Sequence, residues 1–195
     1  MNIFLDFDDT LTDSIENVVR IANKRYNKTA NHKELSRWDF SDLYPDIKHE
    51  ELTAIFGEKE FFDTLKLKND VIKSLTGLCR SNNIIIVSKV TLKAMKPKAL
   101  WIKNNLSDIG IKVQFIGVLL DKSKGVVDMA DGIVVDDNVK FLEETNAKYK
   151  IYFNNQRKFD ETQQWGGLTV YNLKELYKLL KDIIKKEKEL KYGKI

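Results

Sequence analysis

Residues 3–12 read Ile3-Phe4-Leu5-Asp6-Phe7-Asp8-Asp9-Thr10-Leu11-Thr12, a short apolar run followed at once by acids. The apolar run is too short for a helix and is typical of a buried strand. Two later runs have the same form, since Ile84-Ile85-Ile86-Val87 precedes Ser88 and Gly132-Ile133-Val134-Val135 precedes Asp136-Asp137. Continuous β-branched runs indicate strands buried on both faces, as in a parallel sheet.

Segments with helical spacing alternate with these strands. The apolar spacing predicts helices over residues 14–26, 70–80, 98–106 and 173–190, with Ser14 as the cap of the first. Further short apolar runs predict strands over residues 113–120, 150–153 and 168–171. The alternation predicts an α/β fold, a doubly wound parallel sheet with helices on both faces.

One region interrupts this alternation. Residues 27–62 are irregular and rich in aromatic side chains, and Pro45 breaks them. We therefore expect a small, mostly helical cap at residues 14–67, inserted after the first strand. Residues 1–13 and 68–195 would then form the α/β core domain.

Composition narrows the function classes. The chain has 195 residues, a net charge of +4 and a single cysteine, Cys79, so an internal disulfide is excluded. The N-terminal apolar run is too short for a signal peptide or a membrane span, and we expect a cytoplasmic protein without a membrane partner. The positive excess comes from lysines in residues 174–194, which favours a solvated helix face over nucleic-acid binding.

Polar side chains follow three of the predicted strands. Ligands of parallel sheets bind beyond the carboxyl ends of the strands, so Asp6, Asp8, Ser88 and the Asp136-Asp137 pair would meet if these strands are neighbours. Clustered carboxylates repel one another unless a cation neutralises them, and hard oxygen ligands favour Mg²⁺. Because protein-bound Mg²⁺ is often shared with a substrate phosphate, a lysine is also expected, to offset the charge of that phosphate. Lys122 and Lys124 follow the strand at residues 113–120 and are the candidates.

These motifs resemble those of the haloacid dehalogenase-like (HAD-like) hydrolase superfamily. Asp6 to Thr12 is similar to its first motif, an apolar strand followed by D-x-D-x-T, while Ser88 matches the second motif and Asp136-Asp137 the fourth. Three finer segments resemble the 5′(3′)-deoxyribonucleotidase branch: Arg37-Trp38-Asp39-Phe40, Phe61-Phe62-Asp63-Thr64-Leu65 and Asp121-Lys122-Ser123. The chain differs from that branch in having Asn138-Val139 after the paired acids.

The resemblance implies a phosphatase that forms an aspartyl-phosphate. Asp6 would be the nucleophile and Asp8 the general acid and then the base. The metal ligands would be Asp6, the Asp8 carbonyl, Asp136 and Asp137, with Mg²⁺ as the cofactor. The groups that bind the substrate phosphate would be Ser88, the backbone around Asp9, and Lys122 or Lys124. The Asp-Lys-Ser setting favours Lys122, but the choice between the two lysines stays open.

Several alternatives remain at this point. The resemblance points to (deoxy)nucleoside monophosphates, whereas the rivals are another ester, such as a sugar phosphate or a nucleic-acid 3′ end, and a non-enzymatic binding protein. Trp38 and Phe40 either stack on a nucleobase or form the small core of the cap, and for a single aromatic the core is the more common role. Whether the chain forms a homo-oligomer is left open.

Overall fold

The computed structural model describes residues 1–193, so the last two residues of the expected core domain lie outside the described residues. Its six strands are β1 Asn2–Leu5, β2 Asn83–Val90, β3 Val113–Leu119, β4 Ile133–Asp136, β5 Tyr149–Phe153 and β6 Leu168–Val170. They form one sheet in the order β3-β2-β1-β4-β5-β6, with every neighbouring pair parallel. The predicted doubly wound parallel sheet is confirmed.

Helices cover both faces of this sheet. Successive strand residues point to opposite faces, so Ile3 and Leu5 belong to one apolar cluster and Phe4 to a second one, which includes the helical residues Val139 and Leu142. The helices are α1 Ser14–Tyr26, α2 His49–Ala54, α3 Lys59–Thr64, α4 Val71–Leu78, α5 Leu92–Asn105, α6 Val139–Glu144, α7 Lys158–Glu161 and α8 Leu173–Tyr192. Within residues 1–193, none of them combines the length and apolar character that a bilayer crossing requires.

Two element boundaries differ from the sequence prediction in ways that affect the site. Strand β2 continues to Val90, so Ser88 lies within the strand and pairs with Gly117 instead of closing it. Helix α5 begins six residues before residue 98, because Thr91 caps it by accepting a hydrogen bond from the Ala94 amide, and it continues through Pro97. Lys98 is therefore not the first residue of the helix.

The start of α1 also differs from the prediction. Ser14 is the first helical residue and not the cap, and its hydroxyl donates to Asp8 at 2.8 Å. The Asp9 carboxylate instead accepts a hydrogen bond of 2.7 Å from the Ile15 amide, which satisfies one of the free N–H groups at the helix start. Asp9 has a φ of 56°, a left-handed conformation that turns the chain sharply from β1 into α1.

Residues 14–67 supply α1 to α3 and short 3₁₀ turns, all between β1 and α4. Their buried side chains, including Phe40, Tyr44 and Phe61, belong to the same apolar cluster as Ile3 and Leu5 of β1. The Tyr44 hydroxyl donates to the Val19 carbonyl at 3.1 Å, which ties the irregular stretch to α1. The division into a cap at 14–67 and a separate core stays a prediction.

Candidate active site

The sheet order brings three polar strand ends together. β1 lies between β2 and β4, with Leu5 paired to Ile86 on one side and to Val135 on the other. This register places Asp6 level with Asp136, and both lie at the carboxyl edge of the sheet. Ser88 lies on β2, the other neighbour of β1, near the same edge. The expected convergence of the strand ends is therefore present.

Three carboxylates form a compact group at this edge. Asp6, Asp136 and Asp137 each offer an oxygen within 4.8 Å of the others, and all three side chains are buried. Burying several carboxylates together is costly unless cations balance their charge. Their hard oxygen donors are the ligand type that Mg²⁺ prefers, so the donor set fits this ion.

Lys124 lies between two of these acids. Its ammonium is 2.5 Å from Asp6 Oδ1 and 2.6 Å from Asp136 Oδ2, and the residue is 1% exposed. By contrast, Lys122 is on the surface, where its ammonium pairs with Asp121 at 3.0 Å. The structure therefore brings Lys124, and not Lys122, into the carboxylate group.

A short 3₁₀ turn after β3 aims Lys124 inward. The turn spans Lys124–Val126, and the Ser123 hydroxyl caps it by accepting a hydrogen bond from the Gly125 amide at 2.9 Å. A Cβ atom on Gly125 would lie 2.4 Å from the Glu144 carbonyl oxygen. Only glycine therefore allows the turn to pack this closely against the end of α6.

Asp8 is held by three donors. Its Oδ1 accepts a hydrogen bond from the Ser14 hydroxyl, and its Oδ2 accepts from the Ser88 hydroxyl at 3.1 Å and from the Lys98 ammonium. Lys98 also donates to the Ser88 hydroxyl at 2.9 Å. Sequence reasoning missed Lys98, which becomes recognisable only once α5 is known to begin at Leu92.

Arg157 is a second residue that the sequence did not single out. Its guanidinium donates to Asp9, to Asp137 Oδ2 at 2.8 Å and to Asp160 Oδ2 at 3.0 Å. Both carboxylate oxygens of Asp9 are thereby used, one by Arg157 and one by the Ile15 amide. The Asp9 side chain therefore has a structural role here, and phosphate binding by the backbone around Asp9 stays a prediction.

Burial dominates the electrostatics of the site. It raises the pKa of Asp6 to about 7, against the opposing effect of the Lys124 charge, while the Asp136 and Asp8 charges add to the increase. Burial also raises the pKa values of Asp136 and Asp137. Burial alone would lower the pKa of Lys124, but the charges of Asp136 and Asp6 hold it above its ordinary value.

A cleft of about 690 Å³ opens above these acids. Its floor includes Asp6, Asp8 and Lys124, and its opposite wall comes from residues 14–67, with Trp38 and Phe56 as the aromatic members. Phe40 is fully buried in the apolar cluster and does not line the cleft. The volume falls within the usual range for a small-molecule site.

The sequence matches one family model, and the fold is similar to several solved structures. The family model described as 5′ nucleotidase, deoxy (pyrimidine), cytosolic type C (NT5C) matches residues 1–183. Solved structures with a similar fold include the haloacid dehalogenase-like hydrolase SP0104 of Streptococcus pneumoniae, with a TM-score of 0.61 and 16% identity over 92% of this chain and 97% of that one. The HAD-hydrolase YfnB of Bacillus subtilis, bound to magnesium, has a TM-score of 0.60 and 11% identity over the same shares. No curated protein matches the sequence.

Proposed function

The chain belongs to the cytosolic type C family of 5′ nucleotidases, which are phosphatases of the HAD-like superfamily, and we propose that it is a Mg²⁺-dependent 5′(3′)-deoxyribonucleotidase. The resemblance found in the sequence motifs is thus confirmed. The observation that supports the proposal most directly is the buried group of Asp6, Asp136 and Asp137 with Lys124, at the floor of a cleft. Its substrates would be (deoxy)nucleoside monophosphates.

The proposed reaction has two displacements at phosphorus. In the first, an oxygen of the Asp6 carboxylate bonds to phosphorus as the bond to the ester oxygen breaks, and Asp8 donates a proton to the departing alkoxide. In the second, Asp8 takes a proton from water, the water oxygen bonds to phosphorus, and the bond to Asp6 breaks. The hydrogen bonds from Ser14 and Lys98 orient Asp8 for both transfers, and the Ser88 hydroxyl, which donates to Asp8 in the substrate-free protein, would donate to the phosphate once substrate binds.

The metal and phosphate sites would share this floor. Asp6, Asp136, Asp137 and the Asp8 carbonyl would hold Mg²⁺, which when bound supplies positive charge that offsets the charge of the phosphate. Lys124 would contribute a second positive charge, and Ser88 a hydroxyl donor. Geometry supports Lys124 over Lys122 for this role, since only Lys124 contacts Asp6.

The walls of the cleft favour a substrate that carries an aromatic ring. Trp38 and Phe56 line the cleft from the cap side, and a nucleobase can stack on either aromatic side chain whichever base it is. Closure of such a wall over the substrate also excludes water from the reacting phosphate. We therefore favour nucleotides over sugar phosphates as substrates.

A substrate panel tests this proposal. Phosphate release is measured from 5′- and 3′-deoxynucleoside monophosphates, ribonucleoside monophosphates and sugar phosphates, with Mg²⁺ and then with a chelator. We expect metal-dependent release that is greatest on deoxynucleotides. Release from sugar phosphates alone would retain the mechanism and reject the nucleotidase, whereas no release from any compound would reject the proposal as a whole.

Metal binding should depend on pH. The pKa of Asp6 is raised to about 7 in the metal-free protein, and a metal ligand must be ionised. Below that pKa a proton competes with Mg²⁺, so the affinity should fall by about tenfold or more for each pH unit below 7, since the raised pKa values of Asp136 and Asp137 act in the same direction. Titration calorimetry near pH 6, 7 and 8 measures this. A constant affinity across the range would contradict Asp6 as a ligand.

A further inference from the structure

Three consecutive residues, Arg157 to Phe159, join the edge of the sheet to the segment at residues 34–38. The Phe159 amide donates to the Leu35 carbonyl at 2.7 Å, and the Phe159 ring packs on Trp38 with centroids 4.7 Å apart. Lys158 forms an ion pair with Glu34. The Arg157 guanidinium lies 5.3 Å from the centre of the Trp38 ring. This segment, which we call the 157–159 bridge, therefore contacts the cap side of the cleft at several points.

Arg157 differs from the other two bridge residues because it also reaches the catalytic edge. Its side chain is 2% exposed and pairs with Asp9, Asp137 and Asp160. A buried ionic cluster of this kind is weak evidence for stability, because apolar residues often replace such clusters at no cost. Its planar fork of donors does, however, fix carboxylates in direction as well as in distance.

The Asp137 carboxylate accepts one N–H of this fork, whereas its neighbour Asp136 accepts hydrogen bonds from two other residues. Asp136 is bonded by both Lys124 and the Asn138 amide, and Asp6 is bonded by Lys124. Among the residues that the structure describes, Arg157 is the only hydrogen-bond donor to Asp137. The direction in which Asp137 presents its other oxygen to the carboxylate group is thus set by Arg157.

We infer that Arg157 is a positioning residue that orients Asp137 for the metal and ties this orientation to the placement of Trp38 over the cleft. The guanidinium lies beside the Trp38 ring and donates to Asp137, so a shift of either side chain alters a contact of Arg157. Trp38 lines the cleft. The inference rests on the proposed metal site, but not on the identity of the substrate.

Mg²⁺ binding to the substrate-free protein tests the inference. Arg157→Lys keeps the positive charge and removes the fork, so a change in affinity reports orientation and not charge. We expect it to weaken Mg²⁺ binding by about tenfold or more, as for other residues that hold metal ligands. Trp38→Leu changes no acid of the site, and it should also weaken Mg²⁺ binding. The double variant should be no weaker than Arg157→Lys alone, because both changes act through one contact.

Lys158→Met is the matched control, since it removes the ion pair of the bridge with Glu34 and leaves the contacts of Arg157 with Asp9, Asp137 and Asp160 in place. It should bind Mg²⁺ within about twofold of the wild type. Circular dichroism and thermal unfolding show which variants are folded. If Arg157→Lys does not fold, the Mg²⁺ affinity of Trp38→Leu tests the inference instead. A folded Arg157→Lys that binds Mg²⁺ like the wild type, or a Trp38→Leu without effect, would overturn the inference and leave the proposed function standing. A wild-type protein that binds no Mg²⁺ would overturn both.

Discussion

Asp6→Asn should reduce phosphate release by at least about 10⁴-fold, with the fold intact, because an amide cannot form the aspartyl-phosphate. The side chain is buried at the end of β1, and its size is unchanged by the substitution. Its Oδ1 would keep an acceptor for the Lys124 ammonium. Steady-state phosphate release on the best nucleotide of the panel measures the effect.

Asp121→Asn is the matched control for this variant. Asp121 also follows a strand of the sheet, but it lies on the surface and pairs with Lys122. We expect its turnover to stay within about twofold of the wild type, as for most surface substitutions. Turnover of Asp6→Asn near the wild-type level, with an unchanged circular dichroism spectrum, would show that another group attacks the phosphorus.

The strand ends could be predicted because they depend on short-range patterns. Continuous apolar runs are characteristic of strands covered on both faces, and each of three such runs leads directly into polar residues. Once parallel strands are assigned, the rule that ligands bind at their carboxyl ends brings Asp6, Asp8, Ser88 and Asp136 together. This convergence required the strands to be neighbours, and the pairing of β1 with both β2 and β4 meets that condition.

The cationic residues could not be predicted in the same way. Lys98 is the first residue of the helix predicted from the apolar spacing, yet the cap at Thr91 starts α5 earlier and the helix continues through Pro97. Arg157 reaches Asp9 over 148 positions and Asp137 over 20, so no local period links them. Long-range ion pairs of this kind depend on tertiary packing, which a single sequence does not reveal.

Lys122 and Lys124 show the limit most clearly. They are two positions apart in the loop after β3, and both are of the residue type that the site needs. The choice depends on the 3₁₀ turn, which the Ser123 cap and the close approach of Gly125 to Glu144 impose. The Asp-Lys-Ser setting favours Lys122, whereas the chain after Ser123 turns inward and places Lys124 beside Asp6 and Asp136.

Lys124→Met should therefore be far more damaging than Lys122→Met. Removing the buried ammonium leaves Asp6 and Asp136 without their shared partner, which should cost about 3–5 kcal/mol of unfolding free energy. The loss of a positive charge beside the phosphate should also lower turnover by about 10²–10³-fold. Urea unfolding of the metal-free protein and steady-state phosphate release measure the two effects.

Lys122→Met provides the comparison within the same loop. Its ammonium is on the surface, so the unfolding free energy should change by no more than about 0.5 kcal/mol and turnover by no more than about twofold. Mg²⁺ should restore part of the stability lost in Lys124→Met, because a cation that binds only the folded acids stabilises them by mass action. The reverse pattern, with Lys122→Met inactive and Lys124→Met unaffected, would mean that the turn rearranges when substrate binds and that the lysine favoured by the Asp-Lys-Ser setting contacts the phosphate.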